Sequence, residues 1–333
     1  MAAAAAQREA SLAALLGEGG LDAAAIQALA DAIGHEHAAT PRADGKAFLQ
    51  LVEAAAHTPD QRRELGHHRA QLDRRITAGR IRALDTGDED ILHDLAMPLA
   101  ALVGLGRTAE ANLLANRYLD VKPQGATGWA LLPLYLSLRA SDTGLADAIL
   151  APSPPRLVAI GGLSGTGKST LARLIGNRIG RAPGGRVLRS DVFRKRLAGV
   201  PPETRLPSAH YTRLNDQDTY QALFESADDH LACGNSVILD AVFMSRSERD
   251  VAAALAHRRR VPFTGIWLEA PERDRLARVA ARSGDASDAN VEVAREQSRR
   301  SVGVLAEWHR IRVNRPIELI VAAARAALDR VQR

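Results

Sequence analysis

A chain of 333 residues that is 46% hydrophobic and 25% charged is long enough for two domains and has the composition of a folded globular protein. Its net charge of +5 hides an asymmetry: residues 1–155 carry 14 Lys and Arg against 19 Asp and Glu, for −5, whereas residues 156–333 carry 30 against 20, for +10. The longest nearly unbroken apolar run, 129–138, is too short to span a bilayer, and the single cysteine, Cys233, excludes an intrachain disulfide or a thiolate metal cluster. The alanine-rich start lacks a basic head followed by a long apolar segment, so a cytoplasmic protein with no membrane association is expected.

From Ala10 to about Ala140 the pattern is helical. Ile26, Leu29, Ala30 and Ile33 recur at three and four, as do Leu95, Leu99 and Leu102. Turn signals fall at Gly17 to Gly20, Thr40-Pro41, Thr58-Pro59, Thr86-Gly87 and Gly104 to Gly106. The spacing predicts an all-helical domain over 1–140, of about six helices, with no strand-like alternation. His35 with His37, and His67 with His68, are two apart or adjacent and do not share a helix face. They are read as surface or packing histidines rather than metal ligands. Residues 141–155 end in Ala151-Pro152-Ser153-Pro154-Pro155, which predicts a proline-rich linker.

Beyond it the pattern changes. Leu157 to Ile160 is a short apolar run of buried-strand type, followed by Gly162-x-x-x-x-Gly167-Lys168-Ser169 and then by Leu171, Leu174 and Ile175 at helical spacing. A glycine-rich loop between strand and helix lets consecutive backbone N–H groups converge on one anion, and the helix start adds its positive dipole end. Gly162, Leu163, Ser164, Gly165, Thr166, Gly167, Lys168, Ser169 and Thr170 are therefore expected to bind ATP. Lys168 would reach the terminal phosphates and the Ser169 hydroxyl would ligate Mg²⁺. The chain has only four lysines, Lys46, Lys122, Lys168 and Lys195, against forty arginines, and one of them falls where a slender point charge is wanted. Further strand candidates at 186–190, 236–240, 263–268 and, more weakly, 310–313 alternate with helical stretches. That alternation predicts a P-loop three-layer α/β domain over 156–333, with a parallel sheet of about five strands and its chemistry at the carboxyl ends of the strands.

Asp191 ends the second strand candidate, where a phosphoryl-transfer site needs a base or orienting carboxylate; capping the following helix is the structural alternative. Arg194, one turn on, would project toward substrate, while Lys195 and Arg196 are expected to face solvent. Asp240 closes a strand of Walker B type and is a candidate Mg²⁺ ligand with Ser169. Arg246 and Arg249 follow, either as substrate contacts or as helix-surface groups. Arg278 and Arg282, four apart beside the polar stretch 283–288, suit a lid that neutralises charge on the transferred group. The long proline-rich connection 199–207 is a candidate acceptor loop, with Tyr211 and Tyr220 beyond it available to stack or to pack.

Together, Gly162 to Thr170, Ser190 to Lys195, Val237 to Phe243, Ser247-Glu248-Arg249 and Arg278 to Arg282 resemble the AAA-type P-loop kinase domain of the bifunctional aminoglycoside phosphotransferase/ATP-binding protein family. That domain is similar to polynucleotide kinases, zeta toxins and small-molecule P-loop kinases. The resemblance covers 156–333 and implies Asp191 as general base, Arg194 as substrate clamp, and Arg278 and Arg282 as lid arginines. More loosely, Leu29 to Ile33, Asp94 to Ala96, Asn116 to Leu119 and Leu131 to Leu134 resemble the C-terminal lobe of that family's phosphotransferase domain, truncated and without its His-Gly-Asp catalytic loop. The expected function is an ATP- and Mg²⁺-dependent kinase acting on a hydroxyl of a small-molecule or nucleotide-like acceptor, with no protein partner implied. The alternatives are an ATP-binding regulatory module and a nucleic-acid end kinase suggested by the basic half.

Overall fold

The computed structural model describes residues 22–281 and 286–330. The chain divides into two compact units, one of residues up to 153 with 181–184, the other of 154–180 with 185–333.

The first unit contains α1 (Ala23–Ala39), α2 (Lys46–Ala55), α3 (Pro59–Thr77), the strands β1 (Ile81–Leu84) and β2 (Gly87–Asp90), then α4 (Ile91–Gly104), α5 (Thr108–Val121), α6 (Gly125–Leu138) and α7 (Thr143–Leu150). Local chemistry sets several of the starts. Asp22 accepts from the Ala25 N–H at 2.7 Å, Thr58 and Gln61 form a reciprocal capping box ahead of Pro59, and Asp142 accepts from Leu145 N–H at 2.8 Å. Ile26, Ile33, Leu72, Leu95, Leu99, Leu132 and Leu136 pack into one core.

Two features depart from the sequence reading. The unit is not all-helical: β1 and β2 pair antiparallel, Ile81 opposite Asp90 and Leu84 opposite Gly87. No apolar alternation marks β2 because the residues it buries are Glu89 and Asp90. Asp90 takes a two-pronged ion pair from Arg75, at 2.5 and 2.7 Å, and also accepts from Leu92 N–H to start α4. Burial works against the Glu89 carboxylate, yet hydrogen bonds from His93 and Arg139 outweigh it and hold its pKa at about 2. The stretch expected as linker also opens with α7, which buries Ala146, Ile149 and Leu150 before the prolines end it. His37 is buried, donating from Nε2 to Asp94 at 2.8 Å and accepting at Nδ1 from the Tyr118 hydroxyl at 2.7 Å.

The second unit runs β3 (Leu157–Gly161), α8 (Lys168–Gly176), β4 (Arg186–Arg189), α9 (Ser190–Leu197), α10 (Arg213–Ala232), β5 (Val237–Asp240), α11 (Arg246–Arg259), β6 (Phe263–Glu269), α12 (Glu272–Ala280), α13 (Val291–Arg299), β7 (Trp308–Arg312) and α14 (Ile317–Arg330). Its five strands are all parallel, in the order β4-β5-β3-β6-β7. The two-residue period of β3 divides the core. Leu157 and Ala159 face Leu223, Ala227 and Leu255 of α10 and α11, whereas Val158 and Ile160 face Leu171 and Ile175 of α8 and Ile320 and Ala324 of α14. Three layers result, as the sequence predicts, and among the described residues no helix is long and apolar enough to cross a membrane.

His230, near the end of α10, is 3% exposed, and burial, reinforced by the charge of Arg186, pushes its pKa down to about 3. It folds neutral, whereas the unfolded chain takes up a proton below the ordinary value of 6.5, so its contribution to stability is present above that value and is lost as pH falls. Between pH 7 and pH 5 the loss is about 2 kcal/mol. Thermal melts of the parent should show this decline, and His230→Asn should flatten it.

Candidate active site

The carboxyl end of β3 runs into the loop 162–167, and α8 begins at Lys168 with Gly167 as its N-cap. Gly165 (φ +84°) is required for two reasons: the backbone is left-handed there, and a Cβ would lie 2.5 Å from the carbonyl oxygen of Arg275. At Gly167 (φ +89°) a Cβ would meet nothing within 4 Å, so there only the left-handed backbone, and no neighbouring atom, calls for glycine. Lys168 donates from Nζ to the carbonyls of Gly162 (2.9 Å) and Leu163 (3.3 Å), folding its ammonium back over the loop. The Ser169 hydroxyl donates to Asp240 Oδ2 at 2.6 Å.

Parallel register makes that last contact possible. β5 pairs directly with β3, Asp240 opposite Ile160, so the strand ending in Asp240 finishes beside the loop. On its other side β4 sets Arg189 opposite Asp240, with its Nε 3.4 Å from the carboxylate. The sequence reading missed Arg189 because nothing local marks an arginine at a strand end as the partner of a carboxylate fifty residues on. α9 then starts at Ser190, its N-cap Arg189 making no side-chain cap bond, so Asp191 stands in the first turn rather than as the cap.

These groups surround one cleft of about 740 Å³. Ser164, Gly165, Gly167, Lys168, Ser169, Thr170, Asp240 and Arg278 line it together with Asp191 and Arg194. Gly162, Leu163 and Thr166 stand behind the lining, where Gly162 N–H reaches the Val242 carbonyl and the Thr166 hydroxyl the Leu163 carbonyl. Arg278 donates to the carbonyls of Gly165 and Val313, each at 3.4 Å, and so braces the loop. Arg282 lies outside the described residues, as do 283–285 of the expected lid stretch.

Several assignments change. Lys195 does not face solvent: it is 1% exposed and bonded to Asp288 and to the Thr204 carbonyl, the latter at 2.5 Å. Arg249 is buried too, donating to the carbonyls of Phe243, Met244 and Val302, which fixes the turn after Asp240, where Phe243 holds φ +53°. Tyr220 is half-buried at the cleft wall, packed on Phe224 and Phe243, and its hydroxyl accepts from the Phe243 N–H. Tyr211 does reach the cleft, its ring 5.0 Å beneath the Arg194 guanidinium, which is held by Asp216 at 2.7 Å. Gln297, accepting from Ser164 N–H at 2.8 Å, and Arg275, donating to the Ser164 carbonyl, hold the phosphate loop from α13 and α12, and no sequence signal announced either. Glu248 also lines the cleft, and burial raises its pKa against the opposing bonds from Ser245 and Tyr220.

Fold and loop define the second unit as a P-loop nucleotide-binding, kinase-like domain. A family model described as an AAA domain matches residues 157–305. The chain is 34% identical over 176 residues to the uncharacterized proteins Rv2004c of Mycobacterium tuberculosis and Mb2027c of Mycobacterium bovis, a match covering 51% of this chain and 34% of each relative. The chain thus spans about a third of the length of the curated relatives it matches. Among solved structures, a gluconokinase from Sinorhizobium meliloti 1021 is similar at 20% identity over 54% of this chain and 95% of that one, with a TM-score of 0.40. The Mycobacterium tuberculosis APS kinase CysC, in complex with AMPPNP and APS, is similar at 18% identity over 55% and 100%, with a TM-score of 0.37. The family model lies within the second unit.

Gly165→Ala should weaken Mg-ATP binding about tenfold or more, since a left-handed backbone and a Cβ against a carbonyl together cost about 1–3 kcal/mol of loop geometry. Isothermal calorimetry checks this; unchanged affinity would mean that the loop does not need its glycine.

Proposed function

We propose that the second unit is an ATP- and Mg²⁺-dependent kinase that transfers the γ-phosphoryl group to a hydroxyl of a small-molecule or nucleotide-like acceptor. One observation carries the reading: a single cleft gathers the phosphate loop, the Ser169–Asp240 pair and, from the neighbouring strand end, the Asp191 carboxylate. A nucleotide fits the loop, because a side-chain position at Gly167 is open and the Lys168 ammonium donates to loop carbonyls that it can exchange for phosphate oxygens. Mg²⁺ fits the donor set as well. Ser169 and Asp240 offer a hydroxyl and a carboxylate already in contact, and among the described residues no cluster of three or more His, Cys, Asp or Glu suits a softer or fully caged metal. When bound, the cation supplies charge neutralisation at phosphate oxygens.

The chain's own groups then divide the work. Asp191 accepts the proton of the acceptor hydroxyl as its oxygen attacks the γ-phosphorus and ADP departs. Lys168 offsets charge building on the leaving phosphate, while Arg194, steadied by Asp216 and stacked on Tyr211, holds the acceptor side. Arg278 keeps the loop from collapsing into its own anion site by taking up the Gly165 carbonyl.

An acceptor panel of sugars, polyols and nucleosides, read by ADP release, tests this. Lys168→Ala should lower turnover by about 10²–10³-fold, the size of a lost preorganised donor. Asp191→Asn should remove about 10²–10⁴-fold of acceptor-dependent release while Mg-ATP affinity holds. Full activity in Lys168→Ala eliminates the loop as the site, and slow turnover indifferent to Asp191→Asn identifies a nucleotide-sensing module instead.

A further inference from the structure

Asp288 takes no part in the chemistry above, yet its carboxylate joins α9 to the connection that follows it. A single oxygen, Oδ2, accepts from the Lys195 ammonium at the end of α9, from the Leu206 N–H at 3.0 Å within the proline-rich connection, and from the Tyr211 hydroxyl just ahead of α10. The side chains of Asp288 and Lys195 are 8% and 1% exposed. Lys195 uses a second donor on the Thr204 carbonyl, so the connection 201–212 is tied at three points to one buried ion pair.

The groups held this way form the acceptor side of the cleft. Lys195 follows Arg194 directly, Tyr211 lies under the Arg194 guanidinium, and Arg205 precedes Leu206; all three of Arg194, Arg205 and Tyr211 line the cleft. Asp288 itself belongs to the segment leading into α13, and α13 holds the phosphate loop through Gln297 and the Ser164 N–H. One short stretch of chain therefore grips the nucleotide side with Gln297 and the acceptor side with Asp288.

We infer that Asp288 is a positioning residue that sets the acceptor wall from the nucleotide side, so that phosphate-loop occupancy and the order of residues 201–212 are coupled. The inference rests on the kinase reading for the meaning of that wall, but its physical content is independent of any acceptor. A carboxylate with three donors on one oxygen has one stable arrangement of those donors. Removing it strands a buried ammonium, so the connection shifts to solvate it. A loose wall admits water to the phosphoryl group, and a kinase with a loose wall becomes a nucleotide hydrolase.

Hydrogen exchange of the full chain, with and without Mg-AMPPNP, tests this on the parent, on Asp288→Asn and on Tyr211→Phe, which removes one of the three bonds at a partly exposed residue. The nucleotide should slow exchange over 201–212 in the parent and not in Asp288→Asn. Without nucleotide, Asp288→Asn should exchange there about tenfold faster than the parent. Tyr211→Phe should move in the same direction with an unchanged melting temperature, and supplies the test if Asp288→Asn does not fold. ADP release from Mg-ATP without acceptor should rise about threefold or more in both variants, and Mg-ATP affinity should fall in Asp288→Asn, because coupling between nucleotide and wall acts in both directions. Equal exchange over 201–212 in parent and variants, or nucleotide binding to the parent that leaves this stretch untouched, overturns the inference. If the parent binds no nucleotide, the kinase reading fails instead, and the nucleotide-free comparison alone decides for or against Asp288.

Discussion

The hydrogen bond from Ser169 to Asp240 is the contact on which the site depends, and it exists because β3 and β5 are adjacent and parallel. Parallel pairing brings every strand to finish at the same edge. With Ile160, Asp240 and Arg189 level across three strands, the loop after β3 meets the carboxylate ending β5, and the helix after β4 carries Asp191 to the same place. A register slip of one residue would turn Asp240 to the opposite face of the sheet and leave Ser169 without its partner. The hydrophobic faces exclude that slip, because Val237 and Leu239 belong to one core and Ile238 to the other.

What could be read before the structure was whatever local chemistry determines. β3 to β6 carry short apolar runs and the phosphate loop has fixed spacing between a strand and a helix, so both were legible from contiguous residues, whereas β7, Trp-His-Arg-Ile-Arg, gave only a weaker signal at 310–313. What escaped depends on partners far along the chain. Lys195 reads, with Arg196, as a solvated cation until Asp288, ninety-three residues on, supplies a carboxylate. Gln297 is an ordinary helix-surface glutamine until the Ser164 N–H comes against it. β2 was unreadable because its inward residues are acids, whose burial is tolerable only with Arg75, His93 and Arg139 in reach. α7 was masked by the prolines that follow it, which end a helix but do not forbid one before them.

The helical unit spends its polar side chains on itself. Arg75, Asp90 and Tyr135 form one buried set, and His37, Asp94 and Tyr118 form another; each hydrogen bond is made inside a core with a relative permittivity far below that of water. Such sets specify one packing, because removing a single member leaves the remaining charge or dipole without compensation at a cost of about 3–5 kcal/mol for an ion pair. His37, one of the histidines that attract attention in the sequence of this half, is accounted for by that role, whereas His35 and His67 lie exposed.

The same lesson governs the charge asymmetry. An excess of ten positive charges in residues 156–333 reads as affinity for polyanions, yet many of those arginines serve the backbone. Arg249 binds the carbonyls of Phe243, Met244 and Val302, Arg275 that of Ser164, Arg278 those of Gly165 and Val313, and Arg156 that of Leu328. A guanidinium has five donors in a rigid fork and cannot deprotonate, which suits it to bridging loop carbonyls where no helix or sheet ladder supplies N–H groups. Loops that must hold an irregular course around a phosphate site create that demand, and a basic composition answers it. Net charge therefore overstates the positive surface that is open, because these guanidinium groups are already committed to main-chain carbonyls.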